Sequence, residues 1–193
     1  MTSPAPPVLG EPLPIELANT RFVRRAHELD GLQEPQELAA WLRQVRERLP
    51  FPLADETLDA IGPAELDAAR ALRDALRSLL AAATSGATLD ADAARTLNRT
   101  VRAAPRWREL TTRPRPAATL HTAAAPLPAT LAAIAEEAIH LLAGPDAATL
   151  RACAAPDCIL FFRKDHPRRN CCSPRCSNRT RAARHYARHK TQA

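Results

Sequence analysis

Apolar residues recur at helical spacing through most of the chain. Leu38, Trp41, Leu42, Val45 and Leu49 follow the i, i+3, i+4, i+7, i+11 pattern between Pro35 and Pro50, which predicts an amphipathic helix over 35–49. Leu66, Ala69, Leu72, Leu76, Leu79, Leu80 and Ala83 predict a second, from Pro63 to Ser85-Gly86, where the glycine supplies a left-handed stop. Asp90 as N-cap opens a third, which carries Ala94, Leu97 and Val101 towards Pro105. A fourth is predicted over 128–142 through Leu131, Ile134, Ala138, Ile139 and Leu142, closed by Gly144-Pro145. Leu13, Ile15 and Leu17 alternate as in a strand, but Pro14 suits a first helical turn and favours a short helix. Between Trp107 and Thr122 two Thr-rich stretches, 107–112 and 117–122, flank Arg113-Pro-Arg-Pro116 and read as a hairpin. Residues 1–10 hold three prolines and no periodicity, which predicts a disordered leader.

Charge and cysteine usage divide the chain at one place. Of its 193 residues, 1–150 carry 16 Arg against 19 acidic residues, a net −3. Residues 151–193 carry 11 Arg plus Lys against Asp157 and Asp165, a net +9. All five cysteines fall between 153 and 176. The expected domains are therefore a leader (1–10), a mainly helical domain with a small sheet (11–149), and a small basic module (150–193) that cannot bury a core of its own. No run of 18 uncharged apolar residues exists and the start lacks a signal-peptide pattern, so a cytoplasmic protein without membrane contact is expected. Glycine-rich phosphate loops, nucleophile elbows and paired His-Glu motifs are missing, and His27, His121 and His140 are scattered, which argues against an enzyme. An enzymatic alternative would rest on Asn19, Arg21 and His27.

Cys153-Ala-Ala-Pro-Asp-Cys158 and Cys172-Ser-Pro-Arg-Cys176 flank a hairpin-sized segment whose apolar run, Ile159 to Phe162, suits a strand. Two tight turns that each hold two sulfurs are how a short chain builds a tetrahedral zinc site. Reduced thiols and disulfides are the alternatives; a cytosolic setting and a small core weigh against both. With five cysteines for four positions, Cys172 and Cys176 are read as ligands and Cys171 as a packed thiol, with His166 the other substitute. The expected ion is one structural Zn2+, because four thiolates leave no open position and no glutamate lies nearby to act as a base.

From Ser177 to Lys190 the sequence contains no proline or glycine and predicts a helix. Ala182, Ala183, Tyr186 and Ala187 form a narrow apolar stripe suited to packing on the zinc hairpin, with Arg181, Arg184, His185 and Arg188 opposite. These arginines, with Arg168, Arg169, Arg175 and Arg179, exceed what is needed to offset a −2 tetrathiolate centre, and such a surplus marks phosphate-backbone binding. A solvated charged face is the simpler alternative, and charge alone does not separate DNA from RNA. Phe161 and Phe162 suit packing better than base stacking.

Gly10-Glu-Pro-Leu-Pro-Ile-Glu-Leu-Ala-Asn-Thr20, Leu38 to Leu42, the two cysteine pairs and Cys176-Ser-Asn-Arg179 together resemble the bacterial CGNR zinc finger family with an N-terminal ABATE domain, described as stress-induced transcription regulators. The resemblance implies that Cys153, Cys158, Cys172 and Cys176 bind zinc and that Asn178 and Arg179 complete the signature, with Ser177 in place of its glycine. The expected fold class is mainly α with a small β-hairpin: a helical N-terminal domain and a C-terminal treble-clef-like zinc finger. The expected function is zinc-dependent DNA binding in transcription regulation, the helical domain sensing a signal such as a small-molecule effector or mediating assembly as a homodimer. A finger that docks an acidic protein partner is the competing reading.

Overall fold

The computed structural model describes residues 4–190, with side-chain surroundings through residue 184. The elements in chain order are α1 (Leu13–Ala18), β1 (Arg21–Arg24), β2 (His27–Asp30), α2 (Pro35–Gln44), α3 (Asp55–Asp59), α4 (Pro63–Ser85), α5 (Ala91–Ala103), β3 (Arg106–Thr111), β4 (Ala117–Thr122), α6 (Pro126–Ala143), β5 (Leu150–Ala152), β6 (Phe161–Arg163) and α7 (Pro174–Lys190). The long helices follow the apolar periodicity. Asp90 caps α5 by accepting from the Asp92 amide at 2.9 Å. The Glu65 carboxylate accepts the Gly62 amide at the start of α4, and Gly86 ends that helix at φ 76°. The first helix predicted, 35–49, stops as an α-helix at Gln44 and continues as a 3-10 turn over Arg46–Arg48, which still buries Val45.

Helix α4 is the central element. Its buried face, Leu72, Leu76, Leu79 and Leu80, packs with Trp41 and Leu42 of α2, Ile15 and Leu17 of α1, Leu97 of α5, and Leu131 and Ile134 of α6 in one large core. Three antiparallel two-strand ribbons, β1–β2, β3–β4 and β5–β6, surround this bundle. The β3–β4 ribbon is the expected hairpin and stands clear of the core, with Leu110 73% exposed. The β1–β2 ribbon has no counterpart in the sequence pattern because its two-residue turn, Arg25-Ala26, lacks the usual Asn-Gly or Asp-Gly signature. Residues 4–10 make contacts with the rest of the chain. Pro6 lies against Gly31, and the Leu9 amide donates to the Glu16 carboxylate at 3.0 Å.

The cysteine-rich module is built into this body rather than tethered to it. In β6, Phe161 enters the main core, while Phe162 turns the other way into a second cluster with Cys153, Leu160, Cys171, Cys172 and Cys176. A strand with successive side chains on opposite faces, buried on both, joins the two cores. Phe22, from β1, completes the second cluster. Arg77 lies over the Phe161 ring at 5.6 Å and Arg169 over the Phe162 ring at 4.9 Å, one guanidinium on each.

The segment Gly10–Thr20 supplies the polar half of this junction. Asn19, fully buried, donates from Nδ2 to the Phe161 carbonyl and accepts the Phe161 amide on Oδ1, both at 2.9 Å. Buried Glu11 accepts the Arg163 amide at 2.9 Å and pairs with Arg169. Buried Glu16 accepts the Glu11 amide at 2.8 Å and the Arg48 guanidinium at 3.2 Å. Each buried carboxylate thus has a cationic partner and backbone donors, the condition for ionised groups inside a fold. Arg77, its pKa lowered by burial, donates to the Ala18 carbonyl at 2.9 Å.

Candidate metal centre

Local chain geometry places each cysteine. Strand β5 delivers Cys153, whose amide donates to the Leu160 carbonyl at 2.9 Å. A tight turn with Asp157 at φ 56° brings the Cys158 amide to the Ala155 carbonyl at 3.2 Å before the chain returns along β6. On the other side, the Ser173 hydroxyl accepts the Cys176 amide at 3.3 Å and Pro174 opens α7. Ser173 is therefore the N-cap and Pro174 the first helical residue, so Cys172 sits just before the cap and Cys176 one turn inside. The helix begins one turn earlier than the expected Ser177, because Ser-Pro is a starting signal in its own right. Ser177 lies within the helix, so this position needs no left-handed glycine.

The four sulfurs of Cys153, Cys158, Cys172 and Cys176 all lie within 4.8 Å of one another. Cys158 to Cys172 is 3.9 Å, Cys172 to Cys176 is 3.6 Å and Cys176 to Cys158 is 3.8 Å. A tetrahedron with Zn–S bonds of about 2.3 Å has edges of about 3.8 Å. The spacing fits one zinc ion held by four thiolates, and the cysteines form no disulfide. Hydrogen bonds from Cys153 and Cys172 hold the Cys158 thiol down at about 4, whereas its contacts with Cys153 and Cys158 push the Cys172 thiol up. A bound zinc would take the place of these protons. The ion is structural in type, since four protein ligands leave no position for a reacting water.

Cys171 is buried but faces elsewhere, its sulfur 3.5 Å from the Thr180 hydroxyl. His166 is exposed and its Nδ1 accepts the Arg168 amide at 3.1 Å. Neither belongs to the four-sulfur cluster.

The expected cationic residues divide. Arg168, Arg175, Arg179, Arg181 and Arg184 are exposed, while Arg188 lies outside the residues whose side chains are described. Arg169 does not join this face. Its guanidinium is taken up by Glu11, by Asp165 at 3.3 Å and by the Phe162 ring. The apolar stripe is also corrected in its described part: α7 packs through Cys176, Thr180 and Ala183, while Ala182 is exposed. Asn19, Arg21 and His27, the polar groups of the enzymatic alternative, do not converge: Asn19 is engaged by Phe161, Arg21 pairs with Glu28 at 2.9 Å, and His27 is exposed. The sequence reading missed Glu11, Glu16 and Arg77 as junction residues. The signal for the two acids was their place among Pro12, Leu13, Ile15 and Leu17, since buried acids require partners, whereas Arg77 carried none.

Arg169→Ala is expected to cost about 2 kcal/mol by leaving the buried Glu11 carboxylate without its cation, whereas Arg168→Ala is expected to stay within about 0.5 kcal/mol. Denaturant unfolding of the zinc-loaded variants compares them directly.

Comparison with known families agrees with this geometry. The ABATE family, described as "Putative stress-induced transcription regulator", matches residues 11–145. The CGNR zinc finger matches residues 149–189. No curated protein matches the chain.

Proposed function

The chain belongs to the ABATE family and ends in a CGNR zinc finger, and from that premise we propose that it is a zinc-dependent DNA-binding regulator of transcription. One observation carries the reading. Helix α7 leaves the metal cluster with Arg175, Arg179, Arg181 and Arg184 all exposed, while Asp165, one of the two acids of the finger, is engaged by Arg169. A helix fits the DNA major groove, and rows of arginine neutralise phosphates on release of counterions. The zinc ion's part is to hold the base of α7 against the body, so that the cationic face has a fixed direction. Phosphate contacts position a protein without reading sequence, so recognition of a specific site calls for base-edge contacts from α7 as well, and a homodimer presents two such helices to paired half-sites. Among the described residues no helix is long and apolar enough to cross a membrane. Neither matched family is an enzyme family.

Fluorescence anisotropy with random duplex DNA and single-stranded RNA, across a salt series, tests this. Zinc-loaded protein is expected to bind duplex with a steep loss of affinity as salt rises, and chelator-stripped protein to bind weakly. Arg181→Ala/Arg184→Ala is expected to flatten the slope of log K against log salt by about 1.8. Absence of binding at low salt by protein carrying one zinc per chain overturns the reading in favour of a protein partner.

A further inference from the structure

The β1–β2 hairpin brings a second pair of arginines to the finger. Arg24 and Arg25, at its tip, line the same cleft as Arg175 and Arg179 of α7. The cleft holds about 270 Å³, has Leu9 and Phe22 among its apolar walls, and is bordered by Cys158, Cys172 and Cys176. Both hairpin arginines are exposed, and neither forms a salt bridge among the described residues, whereas Arg21 on the same ribbon is paired with Glu28.

The turn that presents them breaks the local rules. Arg25 and Ala26 occupy φ 52° and φ 65°, the backbone of a two-residue hairpin turn that glycine and asparagine adopt at least cost. Side-chain-bearing residues held there cost on the order of 1 kcal/mol each, and such positions concentrate where function selects the side chain. Arg25, at the first of these positions, is exposed and lines the cleft with Arg24, Arg175 and Arg179, so its charge adds to theirs.

We infer that the hairpin tip and the start of α7 form one anion-binding cleft, which seats the phosphodiester backbone of a nucleic acid beside the metal centre. The inference rests on the nucleic-acid reading of the finger and extends it to the N-terminal domain: Arg24 and Arg25 grip phosphate alongside Arg175 and Arg179. The two cores joined through β6 fix the pairs relative to each other, so the cleft is built before the ligand arrives.

The test uses the zinc-loaded full chain and labelled random duplex DNA, again by anisotropy over a salt series. Arg24→Ala/Arg25→Ala is expected to weaken binding roughly tenfold and to flatten the salt slope by about 1.8, with zinc content unchanged. Arg24→Lys/Arg25→Lys is expected to keep the slope, because a phosphate accepts either cation. Ala26→Gly relieves the turn without removing charge, and is expected to raise the unfolding midpoint and leave the slope alone. Arg113→Ala/Arg115→Ala, on the β3–β4 ribbon that lines no part of the cleft, is the control for net charge. An equal loss in that control, or an unchanged slope in Arg24→Ala/Arg25→Ala while Arg181→Ala/Arg184→Ala lowers it, overturns the cleft and leaves the finger's role standing. No duplex binding by the unaltered protein at low salt overturns both.

Discussion

Cys176→Ser is expected to abolish stoichiometric zinc binding and to lower the unfolding midpoint of the whole chain, not of the finger alone. The four candidate ligands are themselves a large part of the second core, alongside Leu160, Phe162 and Phe22. Without metal, their packed sulfurs must share protons in an arrangement suited to thiolates. A structural zinc contributes on the order of 10 kcal/mol to folding, comparable to the net stability of an entire domain. Loss of one ligand therefore leaves residues 150–176 without a means of holding their turns. The effect extends further because β6 is shared: Phe161 packs in the main core and its backbone is bound by Asn19. Cys171→Ser makes the comparison specific, since that sulfur contacts Thr180 and should leave one zinc per chain in place. Metal content by mass spectrometry and thermal unfolding, measured on both variants, separate the cases. Zinc retained in Cys176→Ser and lost in Cys171→Ser would reverse the ligand assignment.

The helices were legible in the sequence wherever a single face is buried and the ends carry their own signals. Residues 63–85 show this best, with Pro63 inside the start and Gly86 just past the end. The four metal-site cysteines were legible because two short pairs leave few ways to be arranged. The relation between the modules was harder to read. A change of charge and cysteine content near residue 150 suggests a separate appendage, but strand β6 has both faces buried, and its short apolar run does not announce which core each phenylalanine enters. The polar half of the junction was hidden for a related reason. Glu11, Glu16 and Asn19 meet partners far along the chain, up to 158 residues away, and no local period encodes such pairing. Arg169 shows the converse error: counted by composition it belongs with the basic surface, yet burial beside Glu11 gives it a structural task. Arg25-Ala26 carries no turn signal, because it departs from the residues that usually announce a two-residue hairpin.

Asn19→Ala is expected to cost about 3 kcal/mol and to loosen the finger from the helical domain. The side chain is fully buried and both of its amide atoms are committed to one backbone unit, the amide and carbonyl of Phe161. Truncation leaves a buried N–H and a buried C=O without partners, each costing about 1–3 kcal/mol unless water enters. Asn19→Asp makes the sharper comparison. A carboxylate can still accept the Phe161 amide, but it has no hydrogen to give the Phe161 carbonyl, and it adds a buried charge. The aspartate variant should therefore be no more stable than the alanine one at neutral pH, despite its closer shape. Hydrogen exchange at the Phe161 amide, with zinc bound, reports the junction directly. It should quicken in both variants far more than exchange in the middle of α4, because β6 is held to the body by these two bonds, by the Glu11 bond to the Arg163 amide and by packing, whereas α4 holds its own ladder. Equal quickening in α4 would mean that Asn19 supports the fold as a whole. Protection unchanged at Phe161 would show that the Glu11 contacts and the packing of the two phenylalanines fix the finger without Asn19.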